Sequence, residues 1–145
     1  MRLVIQRVKS ARLSVEDKIV SEIGVGLLVF VGVCKGDTEE TVKKAVDKVA
    51  HLRIFEVEDK MTNSIMDING QILVVSNFTL CTSEGGGHRP YFGESADRDE
   101  ARKLYLKFAE LLDEMNVLTR TGIFGADMQI DAHLDGPVNI YKEVL

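Results

Sequence analysis

The chain has 145 residues, 45% of them hydrophobic, with a formal charge of −5. That length fits one domain, residues 1–145, burying roughly two-thirds of the surface its unfolded form exposes. The acidic balance excludes a protein that coats nucleic acid by charge alone, because such binding needs many phosphate contacts from Lys and Arg.

No stretch approaches the roughly 18 apolar residues of a membrane span, and no secretory pattern stands at the amino terminus. Cys34 and Cys81 lie far apart without spaced partners. They suggest neither a disulfide framework nor a zinc site, and a reducing, cytosolic setting fits them.

In chain order, Arg2 to Val15 and Lys18 to Ile23 read as strands around a polar Glu16-Asp17 corner, and the apolar run Val25 to Cys34 follows as a buried strand. Asp37 with Glu40 reads as a capping box. Val42, Ala45, Val46 and Val49 then recur at helical spacing, predicting a helix to about Leu52. Asp67-Ile68-Asn69-Gly70 reads as a hairpin-like corner before the strand Gln71 to Val75.

The run Ser83 to Pro90, with three consecutive glycines, is a loop by composition. A second capping box, Asp97 with Glu100, opens a helix whose apolar stripe includes Leu104, Tyr105, Phe108, Leu112 and Met115, ending near Asn116. Strand-like sequence returns over 117–123, 128–133 and 138–141. Two amphipathic helices among many short strands predict an α+β domain: a curved, barrel-like, mostly antiparallel sheet with the helices on one side.

Motifs of common chemistries are missing. His51, His88 and His133 are not at metal-ligand spacing, Gly85-Gly86-Gly87-His88 lacks the lysine and hydroxyl of a phosphate loop, and no G-x-S-x-G elbow occurs. Neither a metal nor a cofactor is expected.

Three features stand out, each with a plain structural reading beside it. Ser76, Asn77 and Thr79 make a polar cluster at the end of an apolar strand, where such side chains often only satisfy nearby backbone. Gly136-Pro137 is able to adopt a cis peptide, though an ordinary tight turn explains it equally. Arg7 alternates with Leu3 and Ile5, so an inward guanidinium would need partners, unless the strand edge leaves it in solvent.

Taken together, these pieces resemble the D-aminoacyl-tRNA deacylases. The resemblance rests on Gln6-Arg7-Val8, Ser76 to Leu80, the Gly-rich Arg-Pro loop Gly87 to Phe92, Phe124 to Met128, and Leu134 to Asn139, all in the family's order. It departs from the family pattern at Asn77, where the family has Gln, at Asn139, where it has Thr, and at Leu134, where it has Asn.

The resemblance implies a deacylase-like fold and a hydrolase that cleaves the ester between an amino acid and the terminal adenosine of tRNA. It implies a homodimer in which the cis Gly136-Pro137 corner of one subunit enters the other's active site. There the Gly136 carbonyl would take the substrate α-amino group, and main chain would exclude an L-configured Cβ while admitting D residues and glycine.

By the same resemblance Ser76, Asn77, Phe78 and Thr79 form the catalytic segment, with backbone N–H groups around Phe78 and Thr79 facing the oxyanion. Leu80, Phe124 and Met128 bind substrate, the latter two at the adenosine, and Arg7 tethers the incoming corner. The nucleophile is water assisted by the substrate's 2′-hydroxyl, or else the Thr79 hydroxyl. A divergent deacylase with another misacylated tRNA, and a non-catalytic RNA-binding homologue, are the alternatives.

Overall fold

A computed structural model describes all residues, 1–145. Its elements in chain order are β1 (Arg2–Val15), β2 (Lys18–Ile23), β3 (Gly26–Gly32), α1 (Glu39–Ala50), β4 (Phe55–Val57), β5 (Lys60–Asn63), β6 (Gln71–Ser76), a 3-10 turn (Phe78–Leu80), α2 (Arg98–Glu114), β7 (Leu118–Thr121) and β8 (Gln129–Glu143). The main sheet has the order β2-β1-β3-β6-β7, with β8 on the other side of β1. β1 pairs antiparallel with β2, β3 and β8, while β3–β6 and β6–β7 are parallel. Ser21 Oγ on β2 donates to the Thr121 carbonyl on β7 at 2.5 Å, which draws the sheet's two edges together. The result is the expected α+β, barrel-like architecture.

Strand alternation sorts the core onto two faces. Leu3, Ile5, Leu27, Val29, Val31, Ile72 and Val74 pack with α1 and α2, through Val42, Val46, Leu104, Tyr105 and Phe108. The intervening Val8, Ala11, Leu13, Leu28, Leu73 and Val75 form a second cluster inside the curve of the sheet. Because β3 and β6 are covered on both faces, they read as unbroken apolar runs, as buried parallel strands do.

Several local expectations are corrected. The α1 cap is Thr38, not Asp37, and its box closes with Thr41 rather than Glu40; the helix stops at Ala50, short of Leu52. Asp37 is engaged elsewhere, accepting from the Met1 amino group and from Cys34 N at 2.7 Å. At α2, Asp97 is the N-cap residue but its side chain makes no cap bond, so the predicted box with Glu100 does not form. The Asp67–Gly70 corner does not lead into a hairpin, because the strand after it pairs parallel with β3, across a connection that contains α1.

Cys34 and Cys81 are joined by a disulfide, against the reading of two unrelated cysteines. The parallel β3–β6 pairing explains the contact. Val31 is aligned with Ser76, so the segments leaving both strands at the same end run side by side.

The carboxy-terminal segments are one strand, not two strands around a turn. Leu134 pairs with Val8 and Asn139 with Gln6, so the four residues Asp135 to Val138 stand opposite Arg7 alone. This wide bulge lifts Gly136 and Pro137 out of the ladder into solvent. Their peptide bond is cis. No helix is long and apolar enough to cross a membrane.

Candidate active site

β6 carries the polar cluster to the rim of the sheet. Asn77 N donates to the Val31 carbonyl at 2.8 Å, after which the chain tightens into the 3-10 turn. Gly32 permits this, since a Cβ there would lie 2.8 Å from Leu80 Cβ and 3.1 Å from the Asn77 carbonyl oxygen. Asn77 caps the turn: its Oδ1 accepts from Thr79 N at 3.2 Å and also from the Thr79 hydroxyl. Arg2 holds the far end, donating to the carbonyls of Leu80 at 3.0 Å and Thr82 at 2.6 Å.

The 3-10 turn presents Phe78, 59% exposed, against the edge of Phe92 at 5.3 Å between ring centroids. Ser95 Oγ fixes its carbonyl at 3.1 Å. The Phe78 N–H has no backbone partner, whereas the Thr79 N–H is occupied by Asn77. Of the two expected oxyanion donors, one is therefore free.

A cleft of about 400 Å³ opens beside this turn. Ser76, Asn77 and Phe78 line one side, and Phe124 and Met128 contribute an apolar wall from the β7–β8 connection. Tyr105 backs that wall, 5.9 Å from the Phe124 ring, and donates its hydroxyl to the Val74 carbonyl at 2.8 Å. Burial pushes the Tyr105 phenol up to about 12, partly opposed by hydrogen bonding at Gly122 and Thr121. It is thus a neutral strut beneath β6.

Five expected site residues, Ser76, Asn77, Phe78, Phe124 and Met128, line this cleft. The others do not. Thr79 points into solvent and Leu80 lies behind it, half-buried. Arg7, 6% exposed, faces inward as alternation requires, donating to the Ile54 carbonyl at 2.7 Å and the Asp135 carbonyl at 3.2 Å. Carboxylates of Glu56 and Asp135 lie 3.5 and 3.4 Å from it. Arg7 thus holds the Gly136-Pro137 corner of its own chain.

Arg2, which holds Leu80, and Arg7, which holds Asp135, are five residues apart on β1, a separation of roughly 17 Å at strand rise. Gly136 and Pro137 are not among the residues that line the cleft. Sequence reasoning missed Ser95 and Arg98, which also line it. Arg98 left one legible trace: a cation in the first turn of a helix sits at the end where the helix dipole disfavours it.

The sequence model of the D-Tyr-tRNA(Tyr) deacylase family matches residues 4–143. The chain belongs to this family. A D-aminoacyl-tRNA deacylase of Thermotoga petrophila is 52% identical over 141 residues, 97% of this chain and 95% of that one. One from Clostridium botulinum is 48% identical over the same shares. Among solved structures, a c-Myc DNA unwinding element binding protein superposes with a TM-score of 0.93 at 36% identity, covering 99% of this chain and 98% of the other. The fold is also that of a probable eukaryotic D-amino acid tRNA deacylase, with a TM-score of 0.83, 20% identity and 97% of each chain covered. Membership of the D-Tyr-tRNA(Tyr) deacylase family makes this chain an enzyme, a D-aminoacyl-tRNA deacylase.

Proposed function

We propose that the chain removes D-amino acids, and glycine, from tRNA at a site completed by a second copy of itself. The observation that carries this reading is the separation of the two motifs: a cleft lined by Ser76 to Phe78, and an exposed Gly136-Pro137 corner that is no part of its lining and is held by Arg7. An isologous pair brings each corner to the other's cleft, because a two-fold axis exchanges the two patches.

In the composite site the terminal adenosine of tRNA lies against Phe124 and Met128, and the ester lies beside Phe78. The free Phe78 N–H meets the developing oxyanion, with the capped 3-10 turn holding it in position beforehand. No carboxylate, imidazole or amine lines the cleft, and the Thr79 hydroxyl donates to an amide oxygen that cannot take its proton. Both facts favour water as nucleophile, assisted by the substrate's own 2′-hydroxyl. The partner's Gly136 carbonyl accepts from the substrate α-amino group. Main chain there leaves no room for an L-configured Cβ, while glycine, having none, enters with the D residues.

Such a substrate belongs to the cytoplasm, a compartment in which a disulfide such as Cys34–Cys81 is uncommon. The function is tested with matched D-tyrosyl-, L-tyrosyl- and glycyl-tRNA, following amino acid release. Release from the D and glycyl substrates with the L substrate intact is expected. Equal release from the L substrate, or none from the D substrate beside an active control enzyme, contradicts the reading.

A further inference from the structure

Arg98 is the one charged side chain lining the cleft. It makes no hydrogen bond or ion pair, unlike Arg2, Arg7 and Arg12, although Asp97 and Asp99 flank it in sequence. Its guanidinium carbon instead stands 5.9 Å from the centroid of the Phe124 ring. The β7–β8 connection is shaped to let it lie there: Gly125 has φ +78°, and a Cβ at that position would come within 2.5 Å of Arg98 Nη2. Helix stability does not account for it, since a cation in the first turn of α2 opposes the helix dipole.

An unpaired, planar guanidinium beside the apolar wall for a nucleoside is suited to one further group of that ligand. We propose that Arg98 binds the phosphodiester joining the terminal adenosine of tRNA to the preceding nucleotide. Guanidinium and phosphate meet through two parallel N–H···O bonds. Arg98 thereby adds a charge-reading contact to a cleft that is otherwise neutral, and separates a tRNA end from a free aminoacyl nucleoside. This rests on the proposed adenosine position at Phe124 and Met128.

The test compares wild-type protein with Arg98→Ala and Arg98→Lys. Binding of a cytidylyl-cytidylyl-adenosine trinucleotide and of adenosine is measured first, and hydrolysis of D-tyrosyl-tRNA and of 3′-O-D-tyrosyl-adenosine second. Arg98→Ala is expected to weaken trinucleotide binding about tenfold, as loss of one partly solvated charge-assisted contact does. It should also flatten the slope of log affinity against log salt by about 0.7. KM for D-tyrosyl-tRNA rises in parallel with kcat little changed, binding of adenosine and KM for its ester change several-fold less than the trinucleotide and tRNA values, and Arg98→Lys recovers part of the loss because it restores the charge without the fork.

Equal weakening toward adenosine and the trinucleotide overturns the proposal by making Arg98 a base platform. Unchanged trinucleotide binding overturns it as well. If wild-type protein binds the trinucleotide in an Arg98-dependent way but hydrolyses no D-tyrosyl-tRNA, the functional reading fails and the phosphate contact stands.

Discussion

Replacing Asn77 by Ala removes the acceptor of both the Thr79 N–H and the Thr79 hydroxyl. Loss of such an N-cap costs about 1 kcal/mol. In a chain of 145 residues, unfolding entropy near 2.1 cal/mol/K per residue converts that cost into a melting shift of about 3 °C. The turn is still held by Leu80 N on the Asn77 carbonyl at 3.3 Å, by Cys81 N on the Phe78 carbonyl at 2.9 Å, and by Arg2, so the variant should fold.

The rate should suffer far more than the stability. With its cap gone the turn loosens, and the Phe78 N–H no longer points at a fixed position. Removing one oxyanion donor typically slows turnover about 100-fold or more, equivalent to about 2.7 kcal/mol of barrier. The assay is single-turnover release from D-tyrosyl-tRNA beside a thermal melt of the same preparation. A variant that melts within a few degrees of wild type and turns over within about threefold of it would refute the claim that the capped turn supplies the donor.

Three further outcomes are expected. Thr79→Ala retains most of its hydrolysis, because the hydroxyl lacks a base; complete loss of turnover in folded protein would restore Thr79 as nucleophile. Tyr105 has its folded value raised to about 12 against an unfolded value near 10, so the native state binds more protons than the unfolded state between those values. Its contribution is full below pH ~10 and is lost as pH rises toward ~12, a fall of about 2–3 kcal/mol that Tyr105→Phe should abolish in denaturant melts across that window. Cys34→Ser opens a cross-link with a sequence separation of 47, which on chain-entropy grounds lowers stability by up to roughly 4 kcal/mol. Reductant should destabilise wild-type protein and leave the variant unchanged, and free thiols titrated in unreduced, denatured protein would contradict the bond.

The sequence made the local elements legible and left pairing hidden. β1 and β2 match their predicted bounds because alternation and the Glu16-Asp17 corner are local signals. The α1 cap was misassigned because Asp37 and Thr38 both suit an N-cap, and only the Met1 amino group, arriving from the far end of β1, decides what Asp37 does. The Cys34–Cys81 bond follows from the parallel β3–β6 register, which no spacing rule encodes. Gly136-Pro137 looked like a turn because a bulge of four residues opposite one exists only once β8 is aligned on β1.

The site followed the same division. The polar end of β6 was visible as a break in an apolar run. The wall of Phe124 and Met128 rested on family resemblance, and Ser95 and Arg98 needed the fold to bring α2's start beside Phe78. Alternation left Arg7 either inward or in solvent; it lies inward, and the corner it holds within the chain is its own.

The composite site is tested most directly by complementation between two inactive variants. Gly136 has φ +127°, and a Cβ there would meet Val138 N at 3.0 Å and Arg7 Nη2 at 3.2 Å, so Gly136→Ala displaces the corner while leaving the cleft intact. Asn77→Ala impairs the cleft and leaves the corner. Co-expressed in equal amounts, the two should form hybrid dimers in which one of two sites is whole, restoring about a quarter of wild-type release from D-tyrosyl-tRNA. Activity of the mixture no greater than the average of the two variants alone, with hybrid dimers present, would mean that each chain builds its site by itself.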